Sequence, residues 1–134
     1  PDALSGRRVS LSFSNRRRAS MTTFTGTPRY MAPEIANGST DYTEKVDLYS
    51  GALIMFYIFA GERPWDSYDG LVAAALAKSG ARPPLPPEIF PPEIREIVTE
   101  CWDADPLSRP SAASVHTRLS ALGPRPGCMP CFAR

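Results

Sequence analysis

"GTPRYMAPE", residues 26–34, shows neither a helical nor a strand period, and it sets Pro28 and Pro33 on either side of an Arg-Tyr-Met sequence. Proline fixes its own φ and donates no amide hydrogen bond, so this stretch reads as a loop whose path is set at low entropic cost. The loop ends in a helical turn. "APEIANG" (32–38) reads as one short turn of helix, begun by Pro33 and stopped by Gly38.

Working outward, the next segment is the longest apolar one. "TEKVDLYSGALIMFYIFAG" (43–61) predicts a helix with Thr43 as N-cap, Glu44 in the first turn and Gly61 as terminator. It is apolar nearly all round after Asp47, which suits a helix at the centre of a larger domain. Its apolar core, residues 48–60, falls short of the roughly 18 residues of a membrane span. Two further helices are predicted over 67–80 and 91–104, and a last one over 111–122. In the second of these, Ile94, Ile97, Val98, Cys101 and Trp102 recur at steps of three and four, the spacing of one buried face. The proline run "RPPLPPEIFPPE" (82–93) joins them as loop until its last pair opens a helix. No segment reads as a strand.

Composition bounds the rest. The chain has 134 residues, enough for one domain with a modest core, and its 43% hydrophobic content favours folding. A formal net charge of +1 conceals a basic arm: residues 1–30 hold six arginines against Asp2 alone, an excess of about five positive charges. No stacking aromatics or binding motif accompany that arm, which argues against nucleic acid. Three cysteines, Cys101, Cys128 and Cys131, do not make an even disulfide framework and point to a reducing, intracellular and cytoplasmic setting. The C-x-x-C pair at 128 and 131 has no second pair, and the lone His116 lies on the last predicted helix, so no zinc site is expected. The ending "CFAR" is not a usual prenylation signal, and no secretory signal or membrane anchor is read.

Three segments in order, "GTPRYMAPE" (26–34), "DLYSGALIMFYIFAGERPW" (47–65) and "CWDADPLSRPS" (101–111), resemble the C-terminal lobe of a eukaryotic protein kinase. The resemblance covers about residues 20–122. It implies a mainly α fold: a partial kinase C-lobe made of the activation segment and the helices after it, without the N-terminal lobe and catalytic loop. It divides the chain into a flexible basic activation-segment region (1–25), the C-lobe portion (26–122) and a flexible tail (123–134).

By that resemblance, Gly26, Thr27, Pro28, Arg29 and Tyr30 belong to the loop that receives the residue after the phosphorylated one on a protein substrate. Thr27 matches the threonine that touches the catalytic aspartate and lysine in serine/threonine kinases, so Ser/Thr substrates are implied. Glu34 matches a glutamate that pairs with an arginine before the last helix, here Arg109, in a bidentate bond that pins the loop. Asp47 matches the central-helix aspartate that accepts hydrogen bonds from the catalytic-loop backbone. Trp102 is core, and the Cys101-Trp102 pair with "RPS" is similar to the tyrosine-kinase-like group.

The departures are equally specific. Phosphoryl transfer needs a glycine-rich loop, a phosphate-pairing lysine, metal-binding acids and an aspartate base. The nine glycines include no G-x-G pair, Lys45 and Lys78 both come after the loop, and His116 is not succeeded by Arg-Asp. "PDALSG" (1–6) is the nearest thing to D-F-G, with Asp2 but no Phe and Gly behind it. The expectation is therefore a serine/threonine kinase of which this chain is the docking part, inactive alone. ATP and Mg2+ serve the complete kinase and are not expected to bind here. A non-catalytic module that engages substrates or partners without ATP is the alternative.

Regulation is also legible. Ser10 in "RRVS" and Ser20 in "RRRAS" come after arginines as basophilic kinases require, which implies an upstream kinase as partner. Thr22, Thr23 and Thr25 lie where activation-loop phosphates fall, and a phosphate among arginines can order such a loop.

Overall fold

The computed structural model describes residues 27–123. The expectations for Asp2, Ser10, Ser20, Thr22, Thr23, Thr25, Gly26, Cys128 and Cys131 lie outside these residues. The described chain is helical throughout, with no strand: a 3-10 turn at Pro28–Tyr30, α1 Pro33–Ala36, α2 Lys45–Ala60, α3 Gly70–Lys78, α4 Pro92–Cys101, a second 3-10 turn at Pro106–Ser108, and α5 Ala112–Ala121.

The helix ends obey local chemistry. Gly61 closes α2 in the left-handed region at φ 74°, where its amide donates to the Tyr57 carbonyl at 2.9 Å. At the other end, α2 begins two residues after Thr43, later than predicted. Thr43 still serves the first turn: its Oγ1 accepts from the Lys45 amide at 3.4 Å and its carbonyl from Val46 at 3.2 Å. The start of α3 moves further, from residue 67 to Gly70, because Asp69 is the cap: its Oδ1 accepts from Leu71 and Val72 at 2.8 and 2.9 Å. Ser111 caps α5 in the same way, accepting from Ser114 at 3.1 Å.

The core forms where α2 meets α4. Tyr49, Ala52, Leu53 and Phe56 of α2 pack against Ile94, Ile97, Val98 and Cys101 of α4, all of them buried. Each large side chain so buried contributes about 1.5–3 kcal/mol. Phe90, from the proline-rich connection, stacks on Phe56 with ring centroids 5.6 Å apart and sits 5.8 Å from Phe59. Arg82 ties that connection down, donating from Nε to the Trp102 carbonyl at 2.9 Å and from a terminal nitrogen to Ala77 and Ala81.

The opposite face of α2 is bare among the described residues. Ile54, Tyr57 and Ile58, at 49%, 47% and 70% exposure, form one stripe at helical spacing, which departs from the expectation of a helix covered on all sides. The physical reason is that α4 packs on the Tyr49–Phe56 side of α2 and the 28–30 turn on its first turns at Ser50, and neither reaches this stripe.

Cys101 is a packing residue. Burial, aided by Glu100 and opposed by Arg118, Arg109 and Lys45, pushes its thiol up to about 11. At pH 8 only about a thousandth is then thiolate. Iodoacetamide is expected to leave the Cys101 peptide unmodified in the native chain and to label it in denaturant; equal labelling in both would show that α4 does not bury it.

Candidate functional site

The loop at the start of the described chain is extended backbone broken by one tight turn. Thr27 is extended (φ −74°, ψ 112°) and exposed, Pro28–Tyr30 makes the turn, and Met31 and Ala32 are extended again before Pro33 begins α1. The turn closes by amides of Tyr30 and Met31 donating to Thr27 and Pro28 carbonyls at 3.0 and 3.1 Å. Ser50 of α2 fixes its inner side, its hydroxyl donating to the Tyr30 carbonyl at 2.8 Å. Between this loop and the first turns of α2 lies an open cavity of about 240 Å³, lined by Thr27, Tyr30, Met31, Ile35, Val46 and Ser50.

Arg29 holds the loop's outer end. Its side chain turns inward, is 4% exposed, and donates to three carbonyls of the turn after α2: Pro64 at 2.5 Å, Trp65 at 2.7 Å and Tyr68 at 2.5 Å. Of the five residues grouped as a docking loop, Arg29 therefore contributes an anchor and not a facing side chain. Trp65, one of its acceptors, sits in the left-handed region at φ 51°, unusual for a bulky residue.

Glu34 and Arg109 hold the other end. Separated by 75 residues in sequence, they meet in a two-point bond, with Arg109 nitrogens donating to Oε1 at 2.7 Å and Oε2 at 2.9 Å. Arg109 also donates to the carbonyls of Asp103 and Lys45, both at 2.9 Å. It is 2% exposed. Burial by itself would raise the Glu34 pKa, but the Arg109 hydrogen bond, the main-chain amide of Glu34 and the Arg109 charge carry it below its ordinary value. Lys45 closes the circuit by donating to the Arg109 and Pro110 carbonyls at 2.6 and 2.8 Å.

Under this junction two guanidinium groups, those of Arg82 and Arg109, lie over the Tyr49 ring at 5.2 and 5.1 Å from its centroid. Neither this pair of cation–π contacts nor the Lys45 link is legible in the sequence. A lysine two residues before Asp47 carries no signal that its partner is a carbonyl more than sixty positions away. Trp102 is 5% exposed at the end of α4. Asp47 stands in the first turn of α2, exposed, its carboxylate without a hydrogen-bond partner among the described residues. It is not brought to Thr27 or to the Glu34–Arg109 pair by any bond.

No group of three or more His, Cys, Asp or Glu among the described residues could hold a metal ion.

Comparison with protein families matches residues 10–118 to the protein kinase domain. The chain belongs to the protein kinase family. Among its kinase relatives, dual specificity protein kinase pyk3 of Dictyostelium discoideum is 38% identical over 96 residues, which are 71% of this chain and 7% of that protein. Serine/threonine-protein kinase VIK of Arabidopsis thaliana is 37% identical over 102 residues, 76% of this chain and 23% of that protein. The RGS domain-containing serine/threonine-protein kinase A of Dictyostelium discoideum is also 37% identical over 102 residues, 76% of this chain and 9% of that protein. The chain thus spans under a quarter of the length of each of these kinases. No helix among the described residues is long and apolar enough to cross a membrane.

Proposed function

We propose that residues 26–30 are the protein-substrate docking loop of a serine/threonine kinase, and that this chain is the docking part of that enzyme. The observation that carries the reading is the two-ended anchorage. Arg29 and the Glu34–Arg109 pair fix the backbone from the 28–30 turn to the start of α1, and Thr27, exposed, leads directly into the Arg29 anchor. A substrate chain laid across such a loop meets a preformed track and loses less freedom than on a mobile one.

In the complete kinase, the Thr27 hydroxyl reaches the catalytic aspartate and lysine, and Asp47 receives the amides of the catalytic loop. The bare stripe of Ile54, Tyr57 and Ile58 supports this, since an apolar helix face beside an unpartnered carboxylate suits a covering segment that brings amide donors with it. ATP and Mg2+ are the cofactors of that complete enzyme, whose setting is the cytoplasm. An upstream kinase acts on Ser10 or Ser20, and phosphate on Thr22, Thr23 or Thr25 orders the activation segment. Cys101-Trp102 and Arg109-Pro110-Ser111 support the tyrosine-kinase-like group.

The test is to capture the native protein with an antibody against this chain, measure its mass, and assay it with ATP, Mg2+ and peptides offering Ser, Thr or Tyr. The expected result is a species much heavier than 134 residues allow, labelling Ser or Thr peptides and not Tyr. Thr27→Val in that enzyme is expected to lower kcat at least about tenfold, the scale of a lost transition-state contact, with Thr27→Ser near normal. A native species of 134 residues, or activity indifferent to Thr27→Val, overturns the reading and leaves a binding module that works without ATP.

A further inference from the structure

A second cavity opens on the far side of the Arg29 anchor. Its volume is about 250 Å³, and rings make up much of its wall, Phe56 of α2, Trp65 from the turn after it, Phe90 and the prolines at 83, 84 and 86, with Ser67 the one uncharged polar side chain among the lining residues. Prolines donate no amide hydrogen, and the Pro64 and Trp65 carbonyls are already taken by Arg29. The walls therefore ask for an apolar guest. The size narrows its kind, because a cavity of about 150 Å³ holds benzene, whereas pockets for whole small ligands run from about 300 Å³ upward. One large aromatic side chain fits between these limits.

The rim decides what accompanies it. Glu62, Arg63 and Asp66 stand at the mouth, and Arg63 is spent on Asp66, donating from Nε at 2.5 Å. Glu62, exposed, has no ion pair among the described residues. Among the described residues, the mouth carries one uncompensated negative charge beside aromatic walls.

We propose that this cavity is a docking pocket for a partner protein that inserts a Phe or Tyr side chain and sets an adjacent Lys or Arg against Glu62. Aromatic anchors in small, well-desolvated pockets supply most of the energy of many interfaces, and the rim charge gives register and selects against acidic neighbours. Trp65 gives the pocket a conformational tie to the rest of the molecule. Its left-handed backbone is held by the Arg29 guanidinium, so a guest pressing on the indole presses on a residue whose carbonyl is fixed to the 28–30 turn. The proposal rests on the cavity and its rim, and stands whether or not that turn docks substrate.

The chain contains two tryptophans, of which Trp102 is buried away from this pocket, so Trp65 is a built-in reporter. The probe is the synthetic peptide acetyl-Gly-Ala-Phe-Arg-Ala-Gly-amide, titrated into the 134-residue chain and, in parallel, into its Ile58→Lys variant, which blunts the bare α2 face against self-association. A saturable change in tryptophan emission is expected in both, with Kd at or below about 1 mM. The Glu62→Lys variant, altered only at an exposed rim position, is expected to bind at least about tenfold more weakly. Exchanging the peptide's Phe for Ser is expected to abolish binding, and its Arg for Glu to weaken it by a similar factor. No emission change in either chain, equal affinity of the Ser peptide, or an unchanged affinity in Glu62→Lys overturns the proposal.

Discussion

Arg109→Ala is expected to lower the melting midpoint of this domain by at least about 12 °C, the shift that about 3 kcal/mol produces in a domain of this size. The loss has two parts. Four hydrogen bonds disappear, to both Glu34 oxygens and to the Asp103 and Lys45 carbonyls. The larger part is what stays behind: a Glu34 side chain only 16% exposed, with its charge unpaired. Removing one partner of a buried pair costs about 3–5 kcal/mol for this reason. Glu34→Gln is expected to cost less, because an amide left near Arg109 is neutral and still accepts one of its bonds. The double change Glu34→Gln with Arg109→Met is expected to recover part of the Arg109→Ala loss, since no charge is then stranded.

Acid separates this explanation from simple loss of packing. Glu34 has its pKa depressed in the fold, so its contribution is fully present above the unfolded value of about 4.3 and fades as pH falls through the lower folded value. In Arg109→Ala the depressing partner is gone and burial remains, so the carboxyl protonates more readily. The gap in stability between the two chains is therefore expected to narrow as pH is lowered from neutral into the range where Glu34 takes up its proton. A gap independent of pH would show that Arg109 acts through its carbonyl contacts alone.

How far such contacts can be read from residue order depends on their range. The α4 core face is legible because Ile94, Ile97, Val98 and Cys101 recur at helical spacing, and all four are buried. The end of α2 is legible because only a glycine accepts φ 74° without strain. The start of α3 is not. Ser67 and Asp69 are both good caps, and the choice falls to Asp69 because residues 64–68 are already committed to a turn that Arg29 grips. Glu34 and Arg109 can be set side by side only through resemblance to a family, since no periodicity links positions 75 apart. Arg29 runs against expectation most strongly: a loop arginine normally lies at the surface, and nothing in its neighbours announces three waiting carbonyls. Trp65 hides in the same way, because its backbone conformation is imposed by that grip and runs against its residue type.

Arg29→Ala is expected to open residues 62–70 while leaving the α2–α4 core closed. Three carbonyls lose a charged donor at once, and bonds to charged groups contribute about 1.5–3 kcal/mol each when taken singly. They share one guanidinium, so the sum is not additive, and a total of about 2–4 kcal/mol is expected. Trp65 then has no reason to keep its left-handed backbone, a conformation that costs about 1–3 kcal/mol. Its relaxation draws the start of α3 with it, because Gly70 lies against this turn: a Cβ built there would be 3.6 Å from the Pro28 ring and 3.7 Å from the Arg29 amide nitrogen. Native-state hydrogen exchange is the measurement. Amides of Tyr68, Leu71 and Val72 are expected to exchange at least about tenfold faster, the factor given by each 1.4 kcal/mol or so of local opening, while those of Ile97, Val98 and Cys101 keep their protection. Arg29→Lys is expected to fall between, as a single ammonium cannot reach three acceptors in the plane that a guanidinium spans. If exchange rose equally in α4, Arg29 would be one more core residue. A rise confined to residues 62–72 would mark it as the joint between the loop at 27–31 and the turn that carries Trp65.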